Sequence, residues 1–389
     1  MGNAACPRPP SLAHRRRFAP AGFPRPSPAR RDTAFDASSQ PAGFMKRYLD
    51  YLWPLIGLVA VVWSVELLWD KLKAEAGTDG AVQALLEQGT LWQNVKIIAA
   101  GIGQKIALIS PDAFLHAALA TLVAYAALAW YDRIALIHLG KEKGISWPYI
   151  SLCSFVTYAL SHNIGASVFS GGMVRFRAYT AKGLTTADVA VLVALCSFTF
   201  AFGTILLLGL VLIGEPQILR PLGRLSHWFT LGDTTARLIG FGLLAFVGLY
   251  TIGSWLKFKP LKIGKFELIY PRLPVVARQY LAAPLELMGA AGIIYFALPD
   301  QGNPGFFIVL GAFLLSFSAG LLSQVPGGVG VMEAVFLAVM PGVPAPAVFA
   351  ALLIWRLFYL ILPLVISLPI VLAFERSQLR KNTRIAPPP

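Results

Sequence analysis

Apolar runs long enough to cross a bilayer recur along this chain, and two of them are interrupted where a lipid-facing helix would have to be continuous. The uninterrupted runs are 51–69, 112–131, 187–213, 237–255, 279–298 and 347–373. Each is close to or above the ~20 residues that a helix rising ~1.5 Å per residue needs for a ~30 Å hydrocarbon core. The interrupted ones are 147–172 and 306–340. Hydrocarbon offers no water to a freed N–H or C=O, so opened backbone is tolerated there only against protein or a wet cavity. The chain therefore reads as an all-α polytopic membrane protein with six spanning helices and two re-entrant helical hairpins, about eight hydrophobic segments in all.

The composition agrees, with 56% hydrophobic and 13% charged residues and a mean hydropathy of +0.65. A net charge of +14 in a soluble chain would suggest nucleic acid. Here the basic residues gather in the tails and particular loops, where they orient helices and meet anionic lipid, and no nucleic-acid motif accompanies them. Cys6, Cys153 and Cys196 lie far apart, and His14, His116, His138, His162 and His227 show no ligand spacing. Neither a metal nor a cofactor is expected. The run Pro326-Gly327-Gly328-Val329-Gly330 lacks the Lys-Ser or Lys-Thr and the preceding strand of a nucleotide loop. Without an ATP site, a moved substrate would be driven by its own gradient, by membrane potential or by a coupled ion.

Residues 1–44 are rich in Pro and Arg and read as a disordered basic extension. Met45 resembles a natural start, residues 45–375 form the membrane domain, and 376–389 form a short basic tail. For the first run, a signal peptide competes with an uncleaved helix, and its length favours the helix. Residues 93–109 suit an amphipathic surface helix. Loop 132–146 carries Arg133, Lys141 and Lys143; loop 175–186 carries Arg175, Arg177 and Lys182; loop 257–278 carries six Lys or Arg. By the positive-inside rule all three are cytoplasmic, together with both termini, whereas 299–304 lacks Lys and Arg and lies outside. Segment 147–172 then enters and leaves on one side, breaking near Asn163-Ile164-Gly165, and 306–340 does so from the other.

Span, span, hairpin, span thus occurs twice with opposite orientation, over 51–213 and 237–373, an inverted repeat in which broken helices would meet near the midplane. The hairpins align as VFSGGMVRFRAY against QVPGGVGVMEAV. Eight straight helices are the rival model, and they would place Arg175, Arg177 and Lys182 outside.

Candidate site residues follow from charge at membrane depth. Gly171 and Gly172 would open the backbone next to Arg175 and Arg177, whose guanidinium forks match a phosphate. Pro326, Gly327, Gly328 and Gly330 would form the second hinge. Glu286 and Arg356 lie inside apolar runs, with Glu333 at the second hairpin and Asp132 at the end of the second span. Each should face a cavity, one another or a bound charge. A structural ion-pair network explains the same set, and ordinary flanking charge explains the two arginines. His162 and Asn163 read as satisfying broken backbone, with a cavity-lining role as the other reading. Glu66, near the end of the first helix, reads as structural.

At these residues the chain resembles the transmembrane flippase part of the lysylphosphatidylglycerol synthase family, the multiple peptide resistance factors. The matching positions are Tyr131-Asp132, Gly171-Gly172 with Arg175, Arg177 and Tyr179, Pro326-Gly327-Gly328 with Gly330 and Glu333, and Arg356 with Tyr359 and Pro363. The resemblance covers about residues 45–375 and adds Tyr179 to the candidate lipid-binding set. It implies movement of an anionic or aminoacylated phospholipid between leaflets of the bacterial cytoplasmic membrane. The soluble aminoacyltransferase domain of the full-length relatives has no counterpart in these residues, so no enzyme activity is expected. Membrane phospholipid is the expected partner; a further copy of the chain or a separate lipid-modifying synthase are the protein partners open to it. Two alternatives remain: a proton-coupled secondary transporter of a small charged solute using Glu286 or Glu333, and a membrane scaffold for a separate synthase.

Overall fold

The computed structural model describes residues 109–385, except 165–166, 224–231, 259–260, 264–265, 269–270 and 324, together with isolated positions between 93 and 107. The chain divides into Met1–Tyr48 and Leu49–Pro389, and everything below belongs to the second unit. The expected extension, the first span and most of the surface helix lie outside the described residues, as does Gly165.

In chain order the helices are α1 (Pro111–His138), α2 (Trp147–Ile164), α3 (Ser167–Thr180), α4 (Thr186–Gly214), α5 (Asp233–Trp255), α6 (Leu273–Ala297), α7 (Phe306–Leu322), α8 (Val331–Val339), α9 (Ala345–Trp355) and α10 (Leu362–Ile385). A π-helical segment, Arg356–Ile361, joins α9 to α10. Between α5 and α6 the basic loop folds into two antiparallel strands, β1 (Leu261–Ile263) and β2 (Phe266–Leu268), with Leu261 opposite Leu268. This small ladder is confined to the loop, and the fold class is all-α as expected.

Among the described residues, five stretches are long and apolar enough to cross a membrane: α1, α4, α5, α6 and the composite Ala345–Phe374. They match five of the six expected spans. Their outer faces carry large exposed apolar side chains, such as Leu238, Phe241 and Leu249 on α5 and Val365, Ile366 and Leu372 on α10. An apolar girdle of this extent fits lipid rather than water.

α6 is the most enclosed of the five. It runs antiparallel to α1, with Gly289 against Ala120 and Ala124 and Phe296 stacked on His116. It runs parallel to α4, with Gln279 on Thr199 and Ala283 on Gly203. α5 returns antiparallel to α4, Gly240 against Gly209. Lipid tails are as apolar as leucine, so such helices associate by close packing of small residues rather than by hydrophobic transfer.

Both interrupted segments form helix pairs. α2 and α3 pack on each other, as do α7 and α8. α3 has 14 residues and α8 has nine, lengths of about 21 and 14 Å that fall short of a ~30 Å core.

Several expected boundaries move. α1 continues past residue 131, so Asp132 lies inside the helix rather than at its end, because its carboxylate is paired there. Gly171 and Gly172 lie within α3, after the break and not at it. A Cβ at Gly171 would stand 3.2 Å from Thr157 Cγ2, so this glycine serves close approach of α2 and not backbone freedom. α3 also takes in Arg175 and Arg177, which shortens the expected basic loop. In the second pair the expected hinge is present: Gly327, Gly328 and Gly330 have φ of 62°, 62° and 83°, left-handed values that glycine adopts without steric cost. α10 runs on to Ile385 through much of the expected tail.

A Cβ at Gly289 would come within 2.9 Å of the Ala120 carbonyl oxygen and 3.0 Å of the Ala124 nitrogen, whereas nothing lies within 4 Å of one at Gly248 on α5. Gly289→Ala is expected to destabilise by about 1–3 kcal/mol through overpacking, and Gly248→Ala to be neutral or slightly stabilising. Thermal unfolding in one detergent checks both.

Candidate functional site

The first of three polar clusters forms where Arg175 and Tyr179 of α3 reach Asp132 of α1, beside Tyr158 of α2. Arg175 points inward and is 4% exposed, and Asp132 is fully buried. Asp132 Oδ1 accepts from Arg175 Nη2 at 2.7 Å and Nε at 3.1 Å, and Oδ2 accepts from the Tyr179 hydroxyl at 2.8 Å. The guanidinium lies 4.8 Å from the centre of the Tyr158 ring, a cation–π contact strengthened by the absence of water.

The second cluster closes the α7–α8 break. Glu333 sits in the first turn of α8, where a carboxylate meets open amides, and its Oε2 accepts from the Gly330 N–H at 2.8 Å. Its Oε1 accepts from Arg356 Nε at 2.9 Å and Nη2 at 2.5 Å, while Arg356 Nη1 donates to the Gly327 carbonyl at 2.8 Å. One arginine therefore ties the last span to both sides of the break.

The third cluster surrounds Glu286, in the middle of α6 and 1% exposed. Its two oxygens accept from the hydroxyls of Tyr359 at 2.5 Å and Tyr131 at 3.3 Å. Tyr359 lies in the π segment. Pro363 has no N–H to return to the Tyr359 carbonyl four residues earlier, and that carbonyl accepts from the Tyr125 hydroxyl at 3.0 Å. The next carbonyl, of Leu360, accepts from Asn163 Nδ2 at 3.1 Å, and the same nitrogen donates to Ala159 O at 2.8 Å. Asn163 thus satisfies backbone at the end of α2. His162 stacks on Tyr359 at 5.4 Å between ring centres. The end of α2 and the glycine break after α7 consequently both meet Arg356–Ile361.

Two openings flank this interior. A groove of about 120 Å³ between α2, α3 and α10 is lined by Leu152, Val156, Val174, Ile370 and Phe374, with Arg177 among its few polar atoms. At the opposite end of α1 and α6, a cavity of about 550 Å³ is lined by Asp112, His116, Asp300 and Asn303.

The candidates are therefore distributed. Asp132, Arg175 and Tyr179 share one cluster, Glu333 and Arg356 another, and Glu286 stands apart from both. Arg175 and Arg177 are not brought together, because residues two apart on a helix point about 200° apart, and Arg177 is exposed. The charge pattern does not single out Tyr125, Tyr158, Tyr359 or Trp355, although a tyrosine four residues before a proline in an apolar run is a legible signal at Tyr359. Among the described residues no group of His, Cys, Asp and Glu could hold a metal ion.

Removing one partner of a buried pair strands the other charge at a cost of about 3–5 kcal/mol. Glu333→Met and Arg356→Met should each lower stability by that order, while the two substitutions together recover a large part of it. A double-mutant cycle on unfolding in detergent measures the coupling.

No protein-family model matches the chain. It is 30% identical to the uncharacterized protein slr0712 of Synechocystis sp. over 331 residues, covering 81% of this chain and 97% of that protein. It is 31% identical to the inner membrane protein YbhN of Escherichia coli over 273 residues, covering 69% and 82% of the two chains. A shorter stretch of 98 residues is 35% identical to the phosphatidylglycerol lysyltransferase of Staphylococcus haemolyticus, 24% of this chain and 12% of that protein. With apolar helices of membrane-crossing length and similarity over most of two full relatives, the chain belongs to the family of membrane proteins that includes YbhN and slr0712.

Proposed function

We propose that this protein moves a phospholipid between the leaflets of a bacterial cytoplasmic membrane and carries out no group transfer. The observation that carries the reading is the meeting of two interrupted helix pairs on Arg356–Ile361, amid buried carboxylates and arginines. An apolar bundle sustains so much polar interior when it handles a charged group. In this reading α2–α3 and α7–α8 are re-entrant hairpins from opposite faces, the halves 51–213 and 237–373 form an inverted repeat, and both termini are cytoplasmic. The groove beside Arg177 suits an acyl chain with a phosphate at its mouth. The local similarity to a phosphatidylglycerol lysyltransferase points to phosphatidylglycerol or its aminoacylated form. Within the interior, the lipid phosphate would displace Asp132 or Glu333 from its arginine, and a cationic headgroup amine would meet the displaced carboxylate.

A second reading, a secondary transporter of a small charged solute, draws on the polar cavity at Asp112, His116 and Asp300. Proteoliposomes separate the two. The lipid reading expects fluorescent phosphatidylglycerol to become accessible to a membrane-impermeant quencher faster with the protein than without it. Arg356→Ala should slow this at least about tenfold, equivalent to ~1.4 kcal/mol of barrier. Solute uptake with no lipid movement in any of the major phospholipids would replace the lipid reading with the second.

A further inference from the structure

Three carboxylates are buried where the helix pairs converge, and two of them are committed. Asp132 is held by Arg175 and Tyr179, and Glu333 by Arg356 and the Gly330 amide. Glu286 differs. Among the described residues its oxygens are met by two tyrosine hydroxyls and by no cation.

The groups that face it can be named element by element. α1 presents Tyr125 and Tyr131, and the π segment presents Tyr359. α2 contributes Tyr158, edge-on to Tyr131 at 6.5 Å, and His162, stacked on Tyr359. On α4, Cys196 lies against Asp132 and Thr199 against Gln279. On α5, Tyr250 donates to Gln279. α7 and α9 carry no titratable residue at all. Arg175 and Arg356 each close on a different carboxylate, Asp132 and Glu333.

A buried carboxylate with no counter-cation is costly, and taking up a proton removes that cost. A tyrosine hydroxyl suits both forms, since it donates to a carboxylate and accepts from a carboxylic acid. Loading therefore needs no new partner, only a reversal of one O–H. One of the two hydroxyls, that of Tyr359, belongs to the segment braced by Tyr125 and Asn163 and adjoining Arg356. His162, whose Nδ1 is enclosed without a hydrogen-bond partner among the described residues, is a further proton-accepting group on the other face of Tyr359.

We propose that Glu286 is a proton-binding site, and that its loading and release couple a pH difference across the membrane to the rearrangement of the segment where the two interrupted helix pairs meet. The coupling part rests on the translocase reading above; proton binding does not. Of the three driving forces that the sequence leaves open it selects a coupled ion, and it assigns that role to Glu286 rather than Glu333.

Infrared difference spectra of the purified protein, recorded as the pH is stepped, test the binding without reference to lipid. The wild type should show the C=O band of a buried carboxylic acid that appears and disappears with pH, and Glu286→Gln, whose amide accepts from one tyrosine and donates to the other as the protonated acid does, should lack it. No titrating band in the wild type overturns the proposal even if the variant fails to fold, and a band that persists in Glu286→Gln also overturns it. In proteoliposomes with fluorescent phosphatidylglycerol, an imposed gradient should change the wild-type rate by up to about tenfold per pH unit, since one unit is a factor of ten in proton activity. Glu286→Gln should not respond. Lipid movement indifferent to the gradient in the wild type overturns the coupling. An absence of lipid movement altogether overturns the translocase reading and with it the lipid coupling, and leaves proton binding to be decided by the spectra.

Discussion

Proline at position 363 withdraws the backbone donor that the Tyr359 carbonyl would receive in an α-helix, and the interior is arranged around that loss. Where no water is at hand, a carbonyl in this position needs a donor from elsewhere in the protein. Tyr125 on α1 donates to it, and Asn163 at the end of α2 donates to the next carbonyl. The helix widens to π geometry over Arg356–Ile361, a form found mostly as single-turn bulges, often at functional sites. One weakened turn thereby becomes the point at which the last span, α1 and α2 are joined, and Tyr359 carries the joint on to Glu286.

The charges obey the same constraint with larger energies. Arg175 with Asp132 and Arg356 with Glu333 are each held by several hydrogen bonds, which a desolvated pair requires before its attraction offsets the cost of burial. Such pairs are weak evidence for stability, but they set a chemical condition: any group that replaces one partner has to match its charge and donors. A phosphate meets that condition at an arginine and an ammonium meets it at a carboxylate. Glu286, answered by neutral hydroxyls, stands outside this economy of pairs.

Much of the architecture was legible in the order of residues. Apolar runs of spanning length located five of the helices, with one end of α1 and one of α6 extended by about two turns, and Pro326-Gly327-Gly328 with Gly330 marked a true break, because hydrophobic length and left-handed φ are properties of local sequence. The pair Gly171-Gly172 carried the same composition and meant something else. Glycine permits an unusual φ, but it equally permits a neighbouring helix to come close, and only the position of Thr157 on α2 distinguishes the two. Asp132 likewise looked like a helix end because charge usually marks one; here Arg175 and Tyr179 hold it inside.

What the sequence determined by itself was the class of solvent this protein occupies, the places of five long apolar helices and the presence of both signs of charge within apolar runs, since each depends on residue type and run length alone. Which arginine answers which carboxylate, and that Glu286 is met by tyrosines and by no cation among the described residues, were decided by tertiary structure. The physical reason is reach: these contacts join residues 23 to 155 positions apart in the chain, so they exist only once α6 has set α1 and the Arg356–Ile361 segment at a fixed distance from one another.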